Sequence, residues 1–142
     1  MHIAIDGFGA DTKKVADVEN VRGFLDECCE SLGMKKISET VVTYYKAPDV
    51  HDAGVSGFVM IAESHISVHT FPYRSYVNID IFSCKKFDVQ RALEDIQKYF
   101  SLERTKIWEI ERGLEYVDVD TYTEPILVKG RNVELSPRSL KH

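Results

Sequence analysis

The sequence predicts an α+β fold, a two-layer sandwich in which two helices cover one face of a mostly antiparallel sheet. Three observations point there. Six short segments are rich in β-branched and aromatic residues or alternate in polarity, at 2–8, 37–46, 55–62, 65–71, 76–84 and 105–111. Two longer segments repeat apolar residues at steps of three and four. The resulting order, β-α-β-β-β-β-α-β, packs two helices on a sheet and leaves its other face to water or a partner, so a homodimer is expected.

HIAIDGF at 2–8 is the first strand. Val15, Val18, Val21, Phe24 or Leu25, Cys28 and Leu32 make the inner stripe of one long helix, which Gly33 stops. ISETVVTYYK at 37–46 reads as a strand, and the turn-rich loop 47–54 follows. VSGFVMIA at 55–62 is apolar enough to be a strand covered on both faces, or covered on one face and packed at a dimer contact on the other. Strands 65–71 and 76–84 are split by the Pro72–Ser75 turn. Asp88 caps a second helix whose inner face is Val89, Ala92, Leu93, Ile96, Tyr99 and Phe100. TKIWEIE at 105–111 is the last strand, closed by Gly113, with Trp108 expected in the sheet core. The compact domain is set at 1–122 and a loosely attached tail at 123–142.

The chain has 142 residues, enough for one domain, and 44% apolar content argues against global disorder. A formal charge of −5 argues against nucleic acid or an anionic membrane as partner. No apolar run approaches the roughly 18–20 residues that span a bilayer, and no basic leader precedes a long apolar stretch. Cys28, Cys29 and Cys84 are odd in number and contain no CxxC pair, which fits a reducing cytoplasm better than a disulfide or zinc framework. Cys28 and Cys29 read as helix packing, with Cys29 nearer the surface.

The stretch 62–72, AESHISVHTFP, with Ser56 before it and Cys84 after it, concentrates the chemistry. On a strand, His65, Ser67 and His69 share one face and can simply meet solvent. The His65–His69 spacing suits a metal on a helix, but the pattern here is a strand and no glutamate lies within the motif. Cys84 with His69 can be a nucleophile pair, though nothing local marks an oxyanion hole. Finally, Ser64 can attack the carbonyl of Glu63, form an ester and eliminate to dehydroalanine, which hydrolyses to a pyruvoyl group. That route needs a hydroxyl and a base, and Ser56 and His69 have the right types. Composition alone does not select among these.

Residues 54–84 hold G-V-S-G, an apolar strand, E-S-H-I-S-V-H-T-F-P and D-I-F-S-C in order. This resembles the core of the prokaryotic, pyruvoyl-dependent S-adenosylmethionine decarboxylase proenzymes, and the likeness extends over residues 2–112. The resemblance implies cleavage between Glu63 and Ser64, giving a β chain 1–63 and an α chain 64–142. Ser64 would become the covalent pyruvoyl cofactor that takes the substrate amine as a Schiff base, with no metal and no pyridoxal phosphate. His69 would be the processing base, Ser56 the assisting hydroxyl and Cys84 the proton donor. The implied product is decarboxylated S-adenosylmethionine for polyamine synthesis, made by a homodimer of αβ protomers.

Two positions depart from the family. Val50 stands where an aromatic stacks on adenine, and Tyr73 where a glutamate binds the ribose. Each loss removes on the order of 1–3 kcal/mol of nucleoside recognition. Phe71 or Tyr73 can stack instead. Asp49 and Asp52 in the same loop can receive the distal cation of arginine or ornithine, or can be loop caps. Arginine or ornithine is therefore the alternative substrate, and a non-enzymic metabolite- or partner-binding relative the alternative role. Ser64 and His69 are five apart, so a straight strand points them to opposite faces, and the reading needs a bend near Ser64 in the precursor or release of the end after cleavage.

Overall fold

The computed structural model describes residues 1–112. Gly113 and the tail expected at 123–142 lie outside the described residues. The elements are β1 (His2–Phe8), α1 (Thr12–Ala16), α2 (Val18–Ser31), β2 (Lys35–Lys36), β3 (Val41–Tyr45), β4 (Gly54–Ala62), β5 (Ser64–Phe71), β6 (Tyr76–Ser83), α3 (Val89–Phe100) and β7 (Arg104–Ile110). The sheet runs β2-β4-β5-β6-β1-β7, with β3 also paired to β4. All of its pairings are antiparallel.

The single long helix expected after the first strand is two helices. Asp17 divides them. Its N–H closes α1 on the Lys14 carbonyl, while its carboxylate accepts from Glu19 and Asn20 N–H and starts α2. The Asn20 amide ties the joint to the carbonyls of Lys14 and Tyr99 at 3.0 and 2.9 Å. Gly33 adopts φ +65° after α2, the left-handed stop that its position suggests. The strand expected at 37–46 shortens to β3, and the lysine pair β2 was not anticipated because both of its residues are exposed. Asp88 caps α3 as expected, accepting from Arg91 N–H at 3.1 Å.

Alternation then sorts the sheet. Ile3, Ile5, Val55, Val59, Ile61, Ile66, Val68, Ile79 and Ile81 are buried beneath Val21, Phe24, Leu25, Ala92, Ile96 and Phe100. Each such side chain contributes about 1.5–3 kcal/mol on burial. Cys29 is 1% exposed and lies as deep as Cys28, correcting its expected place nearer the surface. The intervening residues face away from the helices. There Phe58 stacks on His65 at 5.3 Å, His65 meets Phe82 edge-on, and Phe82 meets His2. Trp108 is 40% exposed rather than core, because β7 is an edge strand and Trp108 pairs with Ala4 on this open face.

The G-V-S-G segment is fixed by close packing. A Cβ on Gly54 would sit 1.8 Å from the Thr70 carbonyl oxygen. The buried Thr70 hydroxyl accepts from Val55 N–H at 2.9 Å and donates to the Val15 carbonyl at 2.7 Å. One motif threonine thus locks β4, β5 and α1 together.

Candidate active site

β4 and β5 meet at Glu63, and the junction is bent. Ser64 has φ +115°, a value that L-residues rarely adopt. Ile66, Val68 and Thr70 of β5 are buried, so parity alone would send Ser64 toward the helices. Instead its Oγ lies 3.6 Å from the Cys84 Sγ, within sulfur hydrogen-bond range. Cys84 follows β6 directly, and its backbone N–H donates to the Glu63 carbonyl oxygen at 3.4 Å. That carbonyl is the one Ser64 Oγ would attack. A donor already aimed at it is what a developing oxyanion requires. No side-chain motif could reveal this group, since it is backbone.

Ser56 and His69 stand opposite each other across β4 and β5, with Ser56 Oγ hydrogen-bonded to His69 Nδ1 at 2.9 Å. The pair lies on the open face, and His69 is exposed. The bend expected at Ser64 is present, yet it does not bring His69 to Ser64. Five residues of extended strand separate them by about 16 Å, beyond the reach of an imidazole. The structure therefore brings the four residues together as two pairs, Ser64 with Cys84 and Ser56 with His69, rather than as one constellation.

The loop residues fall at the His69 end of the sheet. Val50 is exposed in a 3-10 turn, Val50–Asp52, and Phe71 packs on Tyr76 with ring centroids 5.8 Å apart. Tyr73 is exposed at a cavity of about 420 Å³ that Tyr44 and Pro72 also line. The two loop aspartates are already engaged. Asp52 pairs with Arg74 at 3.0 Å, and Arg74 Nε donates to the His51 carbonyl at 3.0 Å. Asp49 accepts from the backbone N–H of His51, which holds its carboxyl below the usual range, and it meets the His51 ring at 2.9 Å. Asp49 thus caps the turn and Asp52 is held in an ion pair, so both loop carboxylates are already engaged. His65 is engaged by aromatic rings, and among the described residues no three His, Cys, Asp or Glu side chains converge as a metal site. No helix of the described residues is long and apolar enough to cross a membrane.

Known proteins resemble this chain in sequence and fold. The family model described as S-adenosylmethionine decarboxylase matches residues 1–113. The S-adenosylmethionine decarboxylase proenzyme of Pyrococcus abyssi (strain GE5 / Orsay) is 34% identical over 127 residues, covering 89% of this chain and 86% of that protein. The proenzyme of the same name from Clostridium botulinum (strain Hall / ATCC 3502 / NCTC 13319 / Type A) is 31% identical over 113 residues, covering 79% and 92%. The crystal structure of the adenosylmethionine decarboxylase from Aquifex aeolicus VF5 superposes with a TM-score of 0.65 at 31% identity, covering 80% of this chain and 89% of that one. With a fold and a sequence held in common over nearly all of its described length, the chain belongs to the S-adenosylmethionine decarboxylase family.

Proposed function

We infer that this decarboxylase cuts itself between Glu63 and Ser64 and then removes CO2 from S-adenosylmethionine. The observation that carries the reading is the junction itself: a hydroxyl on a strained residue, a thiol 3.6 Å from it, and an N–H on the carbonyl to be attacked.

In the first step the Ser64 Oγ adds to the Glu63 carbonyl carbon. The Cys84 N–H steadies the oxyanion, the C–N bond breaks, and the Ser64 nitrogen takes a proton, leaving an ester. A base then removes the Ser64 Cα proton. The electron pair forms Cα=Cβ, the Cβ–Oγ bond breaks, and the Glu63 carboxylate departs with its electrons. The resulting dehydroalanine enamine takes a proton at Cβ to become an imine, water adds to the imine carbon, and the nitrogen leaves as ammonia. The pyruvoyl group so formed supplies a carbonyl that draws electrons from the carbon losing CO2. Cys84 Sγ stands where it can protonate that carbon afterwards.

The base is His69, held by Ser56, and it comes from a second copy of the chain. One copy keeps its own Ser56–His69 pair some 16 Å from its own junction, a gap that strand geometry imposes. The face carrying that pair also exposes Phe58, Met60 and Trp108. Two copies stacked through this face would bury the apolar patch and exchange pairs. The reading therefore describes a cytoplasmic homodimer of cleaved protomers. Neither arginine or ornithine as substrate nor a non-enzymic role is favoured, since the loop carboxylates are occupied and the processing residues are present.

Denaturing mass spectrometry of purified protein tests it directly. Two chains divided between Glu63 and Ser64 are expected, the larger reacting with a carbonyl trap, with CO2 released from S-adenosylmethionine. Intact, trap-inert protein that still decarboxylates would overturn it.

A further inference from the structure

A second feature of the junction has no part in the chemistry above. A cavity of about 240 Å³ opens beside Glu63, walled by the end of α2, by Phe87 and by three lysines, Lys35, Lys85 and Lys86. Lys35 precedes β4 across the sheet edge, pairing with Ala62, and Lys85 and Lys86 follow Cys84. Lys85 is set by its own N–H, which donates to the Ser83 hydroxyl at 3.1 Å. Among the described residues, none of the three has a carboxylate within ion-pair distance. In the same place, Glu63 Oε2 is buried without a hydrogen-bond partner. Three lysines with no carboxylate partner among the described residues, and a glutamate with one unsatisfied buried oxygen, thus line one cavity.

We propose that this lysine-walled cavity is the seat of the new Glu63 carboxyl terminus, and that it draws the carboxylate out of the ester as the chain cuts itself. The inference rests on the self-cleavage reading and deepens it. Elimination turns a neutral ester into an anion at Glu63 and nowhere else. Cations that meet the charge as it develops on the departing carboxylate, and meet little in the neutral ester, lower the barrier of the bond-breaking step. The seat also keeps the severed end of β4 away from Ser64, where a free carboxylate would obstruct the substrate. Lys35, Lys85 and Lys86 are positioning residues in this account, since the Cβ–Oγ bond breaks without their touching it.

A rival role is close at hand. α2 has no basic residue in its last turn, and the same lysines lie beside its C-terminal end, where cations favour the helix dipole. The two roles have different readouts. Wild type, the Lys35→Gln/Lys85→Gln/Lys86→Gln variant and the matching triple Arg variant are followed from fresh precursor by denaturing mass spectrometry, with melting recorded alongside. The seat predicts cleavage about three- to tenfold slower in the Gln variant and restored in the Arg variant. It also predicts that added salt slows wild type and leaves the Gln variant unchanged. Gln variants that cut at the wild-type rate, or whose rate is not restored by arginine, overturn the seat and leave only the helix role. A single Lys85→Gln change, at an exposed position, supplies the same readout if the triple variant is poorly soluble. Wild type that never cuts fails earlier, at the self-cleavage reading, and takes the seat with it.

Discussion

The backbone N–H of Cys84 points at the carbonyl of Glu63 while its thiol touches the Ser64 hydroxyl, so one residue contacts both the proposed nucleophile and the carbonyl it would attack. The two contacts belong to different steps. In the proposed mechanism the N–H survives any side-chain change, whereas the thiol serves as the acid after CO2 has left.

Cys84→Ala should therefore still be cut, if more slowly, but should turn over poorly. A lost general acid costs about 10²–10⁴-fold, and that is the expected fall in kcat. Ser64→Ala should stay at full length. Chain masses and CO2 release, measured on the same samples, separate the two effects.

The three thiols should differ in reactivity. Burial pushes Cys29 up to about 11 and Cys28 higher still. At pH 8 a thiol of that strength is about 0.1% thiolate. Native protein should give one fast equivalent with a thiol reagent, from Cys84, and three after unfolding. The same shifts set a sign for stability. Above about pH 9 the unfolded chain loses thiol protons that the folded chain keeps, so stability falls as pH climbs past that value. Denaturant midpoints at pH 8 and pH 10 check it, with Cys28→Ala/Cys29→Ala as the control that flattens part of the slope.

Gly54→Ala should damage the site without touching its chemistry. The added methyl would strike the Thr70 carbonyl, which is backbone and cannot swing aside. Displacing β4 from β5 is expected to cost about 1–3 kcal/mol or more and to pull Ser56 off His69. A lowered melting temperature together with slowed cleavage is the expected result.

What the sequence conveyed follows from how each feature is encoded. Alternation is local, so the strands and their buried faces were legible from Ile66, Val68 and Ile79 alone. The break at Asp17 was hidden because the apolar repeat runs through it, and only the capping geometry reveals two helices. Trp108 was misplaced because its burial depends on which strand lies at the edge, a long-range fact. Ser64, Cys84, Ser56 and His69 could each be picked out by residue type, but their grouping into two pairs could not. Distance along a strand separates Ser64 from His69, and the second copy that would close the gap leaves no mark in one chain's spacing. The occupancy of Asp52 likewise depended on Arg74, which is 22 residues away.

Substrate choice should follow that occupancy. With Asp52 held by Arg74 and Asp49 by His51, arginine and ornithine are expected to release no CO2, while S-adenosylmethionine does. Asp52→Asn breaks an exposed ion pair, so it should cost less than about 1 kcal/mol and change KM by about twofold at most. Val50→Phe restores an aromatic face for a base and should lower KM for S-adenosylmethionine by about tenfold, with kcat nearly unchanged. Parallel CO2 assays on the three compounds decide it, and turnover of a basic amino acid would reverse the assignment.

The separation of the two pairs yields the sharpest test of the composite site. His69→Ala chains lack a base for any junction, and Ser64→Ala chains lack a junction to cut, so each alone should stay whole. In a mixed dimer the Ser64→Ala copy keeps an intact Ser56–His69 pair, which faces the intact Ser64 of the His69→Ala copy. Co-expression with distinct tags should therefore cut the His69→Ala chain, to at most the fraction present in mixed dimers, and leave the Ser64→Ala chain whole. If each copy served its own junction, no mixture would cut at all. A His69→Ala chain that stays intact beside a folded Ser64→Ala partner in a verified mixed dimer would mean that the base acts within one chain, and the 16 Å gap set by β5 would then have to close by a rearrangement of the strand itself.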